Sequence, residues 1–239
     1  MHDTVRRIID PFLAEVDAAL GAGYTAILFG SAARGDYVPG RSDVNLMLIV
    51  ARADHAELAR LRPAFTRWRR AMPVLPLVIA REEWLHGSDV FPIEISDLRA
   101  AHQVLRGPDL VAAVQADPAD LRRALEKELR GKLLRLRQRY LAQGEKNLGE
   151  WAGTTVPAIV LFFRCLLALV NRPAPPDPRA VIEGAAALLG FDSAPVLRVL
   201  ACRAAPGTSL AGRDFEAYVD AVERTALFTD QLELGDQHS

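Results

Sequence analysis

The stretch Leu28-Phe29-Gly30-Ser31-Ala32-Ala33-Arg34-Gly35-Asp36, followed after a six-residue spacer by Asp43-Val44-Asn45-Leu46, decides how this chain is read. Residues 24–29 are a short apolar run of strand formers that stops abruptly at Gly30-Ser31. A strand that ends in Gly-Ser and feeds a short helix leaves backbone amides and a hydroxyl at the turn, which suits the gripping of a phosphate. Glycine at position 30 also lets a ligand approach the backbone closely. A second apolar run, 44–50, opens beside Asp43 and Asn45. Side chains two apart on a strand share one face, so these two point the same way. Val44, Leu46, Leu48 and Val50 then fall on the other face, which predicts a sheet packed on helices on one side and open to ligand on the other.

Working outward, apolar residues recur at helical spacing over 3–20 and stop at Gly21 to Gly23. Helical character returns over 54–70 and, briefly, over 81–86. Further strands are expected at 74–80, 91–96 and 103–105, so strands and helices interleave as in an α/β unit. Beyond Pro118 the strand signals vanish. Leu121, Leu125, Leu129, Leu133, Leu136 and Tyr140 form one helical stripe, followed by expected helices near 145–170, 178–189, 194–202 and 211–232. Proline-rich 171–178 and the segment 205–207 are expected loops. The division is therefore an α/β domain over 1–115 and an all-helical domain over 116–239.

Composition narrows the partners. With 239 residues, half of them hydrophobic, the chain can bury a sizeable core, and 30 acids against 29 bases give no global field for nucleic acid or membranes. Cys165 and Cys202 lie in apolar helical stretches, a usage that suits a reducing compartment, so a cytoplasmic protein is expected. The apolar run 156–170 falls short of the roughly 20 residues a spanning helix needs and is expected to be a core helix. The five histidines are scattered with no pair at zinc-ligand spacing.

The joint pattern of Gly30-Ser31, Arg34-Gly35 and Ser42-Asp43-Val44-Asn45 resembles the active-site motif of nucleotidyltransferases of the DNA polymerase β superfamily. With its helical second half, the chain looks most like the small bacterial members that include aminoglycoside-modifying enzymes. The resemblance implies an α/β (α+β) nucleotidyltransferase domain with a small mixed sheet, then a helical substrate-binding domain packed against its open side. It implies Gly30, Ser31 and Arg34 at the nucleotide phosphates. It also implies Mg2+ held by Asp43, by the residue at position 45 and by a third carboxylate on a later strand. Glu94, alternating with Ile93 and Ile95, is the best candidate for that third ligand, and Asp97 the runner-up. Asp43 and Glu94 are then the catalytic pair, ATP or another nucleoside triphosphate is the co-substrate, and a hydroxyl on a small molecule is the expected acceptor rather than nucleic acid.

Position 45 departs from the family pattern, because Asn45 stands where the second aspartate belongs. A neutral amide offers magnesium one usable oxygen and cancels none of its charge. Two readings stay open: magnesium-dependent transfer of a nucleoside monophosphate, weakened by Asn45, or a nucleotidyltransferase-like protein that binds nucleotide or a partner without turnover. The basic helix face over 122–139 is read first as a solvated surface, and second as a cleft wall in which Lys132 or Arg135 meets the triphosphate and Glu128 serves as a base.

Overall fold

The computed structural model describes residues 2–40, 42–205 and 207–234, so Pro206 of the expected loop lies outside the described residues. The chain divides into two compact units, Met1–Ala116 and Asp117–Ser239. The first contains α1 (Asp3–Leu20), β1 (Thr25–Phe29), α2 (Ser31–Arg34), β2 (Asn45–Val50), α3 (His55–Ala71), β3 (Leu77–Ala80), α4 (Arg81–His86), α5 (Pro92–Ala100) and β4 (His102–Arg106). The four strands form one mixed sheet in the order β3-β2-β1-β4. β1 runs antiparallel to both β2 and β4, while β3 runs parallel to β2.

Residue alternation along the strands builds a core on each face of this sheet. On one face Ala26, Leu28, Leu46, Leu48 and Val50 pack with Val5, Ile9, Phe12, Leu13 and Val16 of α1 and Leu61, Ala64 and Trp68 of α3. The opposite face is only partly open, contrary to the sequence expectation. There Ile27, Met47 and Ile49 are covered by Trp84 of α4, Ile95 and Leu98 of α5, and Val111 and Val114 from the segment that follows β4. Asn45 opens β2 on the same face as Met47, and both Asn45 and Asp43 are half-buried.

The strand expected over 91–96 is instead the start of α5. Its alternating Ile93, Glu94 and Ile95 imitate a strand, but Pro92 occupies the first helical turn, where a missing N–H costs nothing and the fixed φ favours the helix. Ile95 and Leu98, three apart, then face the core together and are fully buried.

The second unit consists of α6 (Pro118–Gln143), α7 (Leu148–Leu169), α8 (Pro178–Leu189), α9 (Ser193–Ala204) and α10 (Gly212–Gln231). Three of these helices begin on an aspartate whose carboxylate accepts a backbone N–H of the first turn: Asp117 from Ala119, Asp177 from Arg179 and Asp192 from Ala194. The leucine stripe of α6 is buried as its spacing predicts, and α7 packs against α6, α8, α9 and α10. At 22 residues α7 is longer than the apolar run suggests, long and apolar enough by composition to cross a membrane, but 61% of its most apolar window is buried inside the unit. It is a core helix of this unit. Both cysteines are buried.

Candidate functional site

The Gly30 turn is built as the sequence suggests. Gly30 adopts φ 70° and ψ −152°, a region open essentially only to glycine, and this reverses the chain from β1 into α2. The amides of Ala33 and Arg34 donate to the Gly30 carbonyl, and those of Gly35 and Asp36 to the Ser31 carbonyl. Ser31 and Ala32 stand at the start of the helix, where backbone N–H groups have no carbonyl one turn back.

Asn45 closes over this turn. It sits opposite Phe29 across the β1–β2 pairing, and its Nδ2 lies 2.5 Å from where a Cβ on residue 30 would be. The amide therefore occupies the space that glycine leaves empty. Asp43 precedes β2 by two residues and is half-buried. Among the described residues it makes no hydrogen bond or ion pair, so its carboxylate is available to a ligand.

Arg34 is engaged within the protein. Its Nη1 donates to Asp97 Oδ1 at 2.7 Å, with the two side chains 16% and 9% exposed. Its Nε faces Asp36 Oδ1 at 3.7 Å, an ionic approach too long for a hydrogen bond. The guanidinium thus joins α2 to α5, and Asp97, the runner-up as third metal ligand, is its partner.

Glu94 lies in the first turn of α5, exposed, and lines a cleft with Met47, Leu77, Trp84 and Phe91. It does not come from a strand. On the side away from β1, β2 neighbours β3, in which Leu77 pairs with Met47 and Ile79 with Ile49. Paired residues share a face, so the β3 positions on the Asn45 side of the sheet are leucine and isoleucine.

These donors do not fit a family-type magnesium centre. Of the three carboxylates such a centre needs, one position is the neutral Asn45 and the adjoining strand offers only Leu77 and Ile79. Among the described residues no three His, Cys, Asp or Glu side chains come together at metal-holding distance.

Other polar side chains have structural employment. His102 bonds the Leu98 carbonyl through Nδ1 at 2.7 Å and Asp109 through Nε2 at 3.2 Å. On α6, Arg122 donates to the Thr229 and Asp230 carbonyls, Arg130 pairs with Glu126 and Asp230, and Arg137 pairs with Glu223. Much of that basic face is therefore tied to α10 within the helical unit. The feature that sequence reasoning missed is the apolar cleft beside Glu94; Pro92 was the signal that could have revealed it, by marking a helix start.

No protein-family model matches the chain, and no curated protein matches it in sequence. Among solved structures, spectinomycin adenyltransferase AAD(9) from Enterococcus faecialis, crystallised with ATP and spectinomycin, matches at 13% identity with a TM-score of 0.58, covering 95% of this chain and 99% of that one. At this identity the likeness speaks for architecture: the chain has a nucleotidyltransferase fold, with a small mixed sheet in its first unit and a helical second unit.

Proposed function

We propose that this chain is a nucleotide-binding protein of the nucleotidyltransferase fold, which takes a nucleoside triphosphate such as ATP at the Gly30-Ser31 turn beside Asp43 and does not turn it over efficiently. The observation that carries this reading is the donor set. The Gly30 turn and the carboxylate of Asp43 support nucleotide binding, while the neutral Asn45 and the apolar β3 face beside it argue against a centre of several metal-binding carboxylates. A single carboxylate leaves a divalent cation to be held mainly by the phosphates themselves, so charge stabilisation at the reacting phosphorus is reduced.

A second reading is favoured by the availability of Asp43 and by the fold neighbour that holds ATP and spectinomycin together. In it, magnesium-dependent transfer of a nucleoside monophosphate to a hydroxyl of a small acceptor persists in weakened form. Calorimetric titration with ATP and GTP, with and without magnesium, beside pyrophosphate release in the presence of spectinomycin and other hydroxylated small molecules, separates the two. Binding without release is expected. Acceptor-dependent release by the unaltered protein would establish the second reading, and failure to bind any nucleotide would end both.

A further inference from the structure

Glu94 borders a cleft that the proposed nucleotide site does not use as a whole. It measures about 530 Å3 and lies wholly within the first unit, between the β2–β3 edge of the sheet and the α4–α5 connection. That size falls inside the roughly 300–1,000 Å3 span of small-molecule pockets, and a mainly apolar lining with few polar groups is their usual chemistry. Met47 and Trp84 form its buried floor, Phe91 is a half-buried wall, and Leu77 and Val90 are exposed at the rim at 47% and 65%.

The tight connection between α4 and α5 sets the position of Phe91 in the cleft wall. A Cβ on Gly87 would lie 2.5 Å from the Glu83 carbonyl oxygen and 3.0 Å from the Phe91 ring, so only glycine lets the aromatic ring settle against the turn. The polar groups around the cleft are unequal. Glu83 Oε2 accepts the Ala80 N–H at 2.9 Å and is committed to capping α4. His86 faces Glu82 at 3.3 Å. Glu94 alone makes no hydrogen bond or ion pair among the described residues. The cleft therefore offers an aromatic-lined apolar body and one uncommitted carboxylate.

We infer that this cleft binds a small molecule with a flat or branched apolar body and a protonated amine, the body seated against Met47, Trp84 and Phe91 and the ammonium paired with Glu94. A densely hydroxylated sugar would lose water to these apolar walls without hydrogen bonds to replace it. An acidic ligand would meet Glu94 as a like charge. A charge-assisted bond to an ammonium is the strong polar contact available here, and the apolar walls reduce its competition with water. The cleft shares Leu77 and Ile79 with the β3 face beside Asn45, but the amine contact proposed here uses Glu94 and requires neither nucleotide nor metal.

Calorimetry of the full chain with three ligands sharing one ring system tests it: tryptamine, its neutral alcohol tryptophol, and indole-3-acetate. Tryptamine is expected to bind most tightly and indole-3-acetate least. Glu94→Gln should weaken tryptamine roughly tenfold and leave tryptophol unchanged, because only the amine uses the charge. Leu77→Gln, at an exposed rim position, should weaken tryptamine and tryptophol alike, with circular dichroism confirming that both variants fold. Equal binding of all three ligands, no binding of tryptamine at millimolar concentration, or an equal effect of Glu94→Gln on amine and alcohol would overturn the proposal.

Discussion

Arg34 donates to Asp97 at 2.7 Å and so fastens the short helix after the Gly30 turn to α5, an element 63 residues further along the chain. The pair is mostly buried and ties the two helices together. Arg34→Ala is therefore expected to destabilise the first unit by about 3 kcal/mol, the scale for breaking a buried charge pair from one side. Urea denaturation checks this. A fall in ATP affinity with an unchanged unfolding midpoint would instead return Arg34 to the phosphates.

The contact of Asn45 with the Gly30 turn predicts coupling between these two positions. Gly30→Ala forces an L side chain into the glycine-only region and against the Asn45 amide, at a combined cost of about 2 kcal/mol or more. Asn45→Ala vacates that space. In a double-mutant cycle the pair should depart from additivity by more than about 0.5 kcal/mol, with the residual loss in the double variant reporting backbone strain alone.

Adding carboxylates beside Asn45 should create a metal site. Leu77 shares the sheet face of Asn45, one paired position along β2, and is exposed enough to accept a charge. The double variant Asn45→Asp with Leu77→Asp is expected to bind Mn2+ in the absence of nucleotide, measured by electron paramagnetic resonance, where the unaltered protein does not. Either single change should give less than the pair. Pyrophosphate release appearing with the metal would show that the missing donors are what limits chemistry.

Two buried phenols set an alkaline limit on stability. Burial, and the bond that its hydroxyl donates to Asp17, push Tyr24 well above the usual tyrosine range; burial does the same for Tyr218, which bonds Thr155 at 2.7 Å. Both stay protonated in the folded chain while unfolded tyrosine ionises near about pH 10. Their contribution is complete below that value and is lost above it, at up to roughly 1.4 kcal/mol per pH unit for each group. Urea midpoints should fall between about pH 9.5 and 11, and Tyr218→Phe should flatten that fall while lowering neutral stability by about 1 kcal/mol for the lost bond.

Much of this architecture was legible because each element carries its own local signal. Helices at Asp3–Leu20, Arg81–His86 and Pro178–Leu189 run as their periodicity and stop residues predict, and the strands on either side of Gly30 end where glycine and polar residues interrupt the apolar runs. The segment around Glu94 imitates a strand because Ile93, Glu94 and Ile95 satisfy a two-residue period over too short a length to exclude a helix. Pro92 and the spacing of Ile95 to Leu98 favour the helix, and packing against the sheet completes it.

The sequence by itself determined the Gly-Ser turn, the apolar strand that opens beside Asn45, and the change from α/β to helical composition, since backbone geometry and residue period are local properties. Only the tertiary structure decided that Arg34 is held by Asp97, that Asn45 lies against Gly30, and that β3 presents Leu77 and Ile79 beside β2. Those relationships join residues that are distant along the chain. They depend on strand register and on which helix covers which face, and long-range packing fixes both.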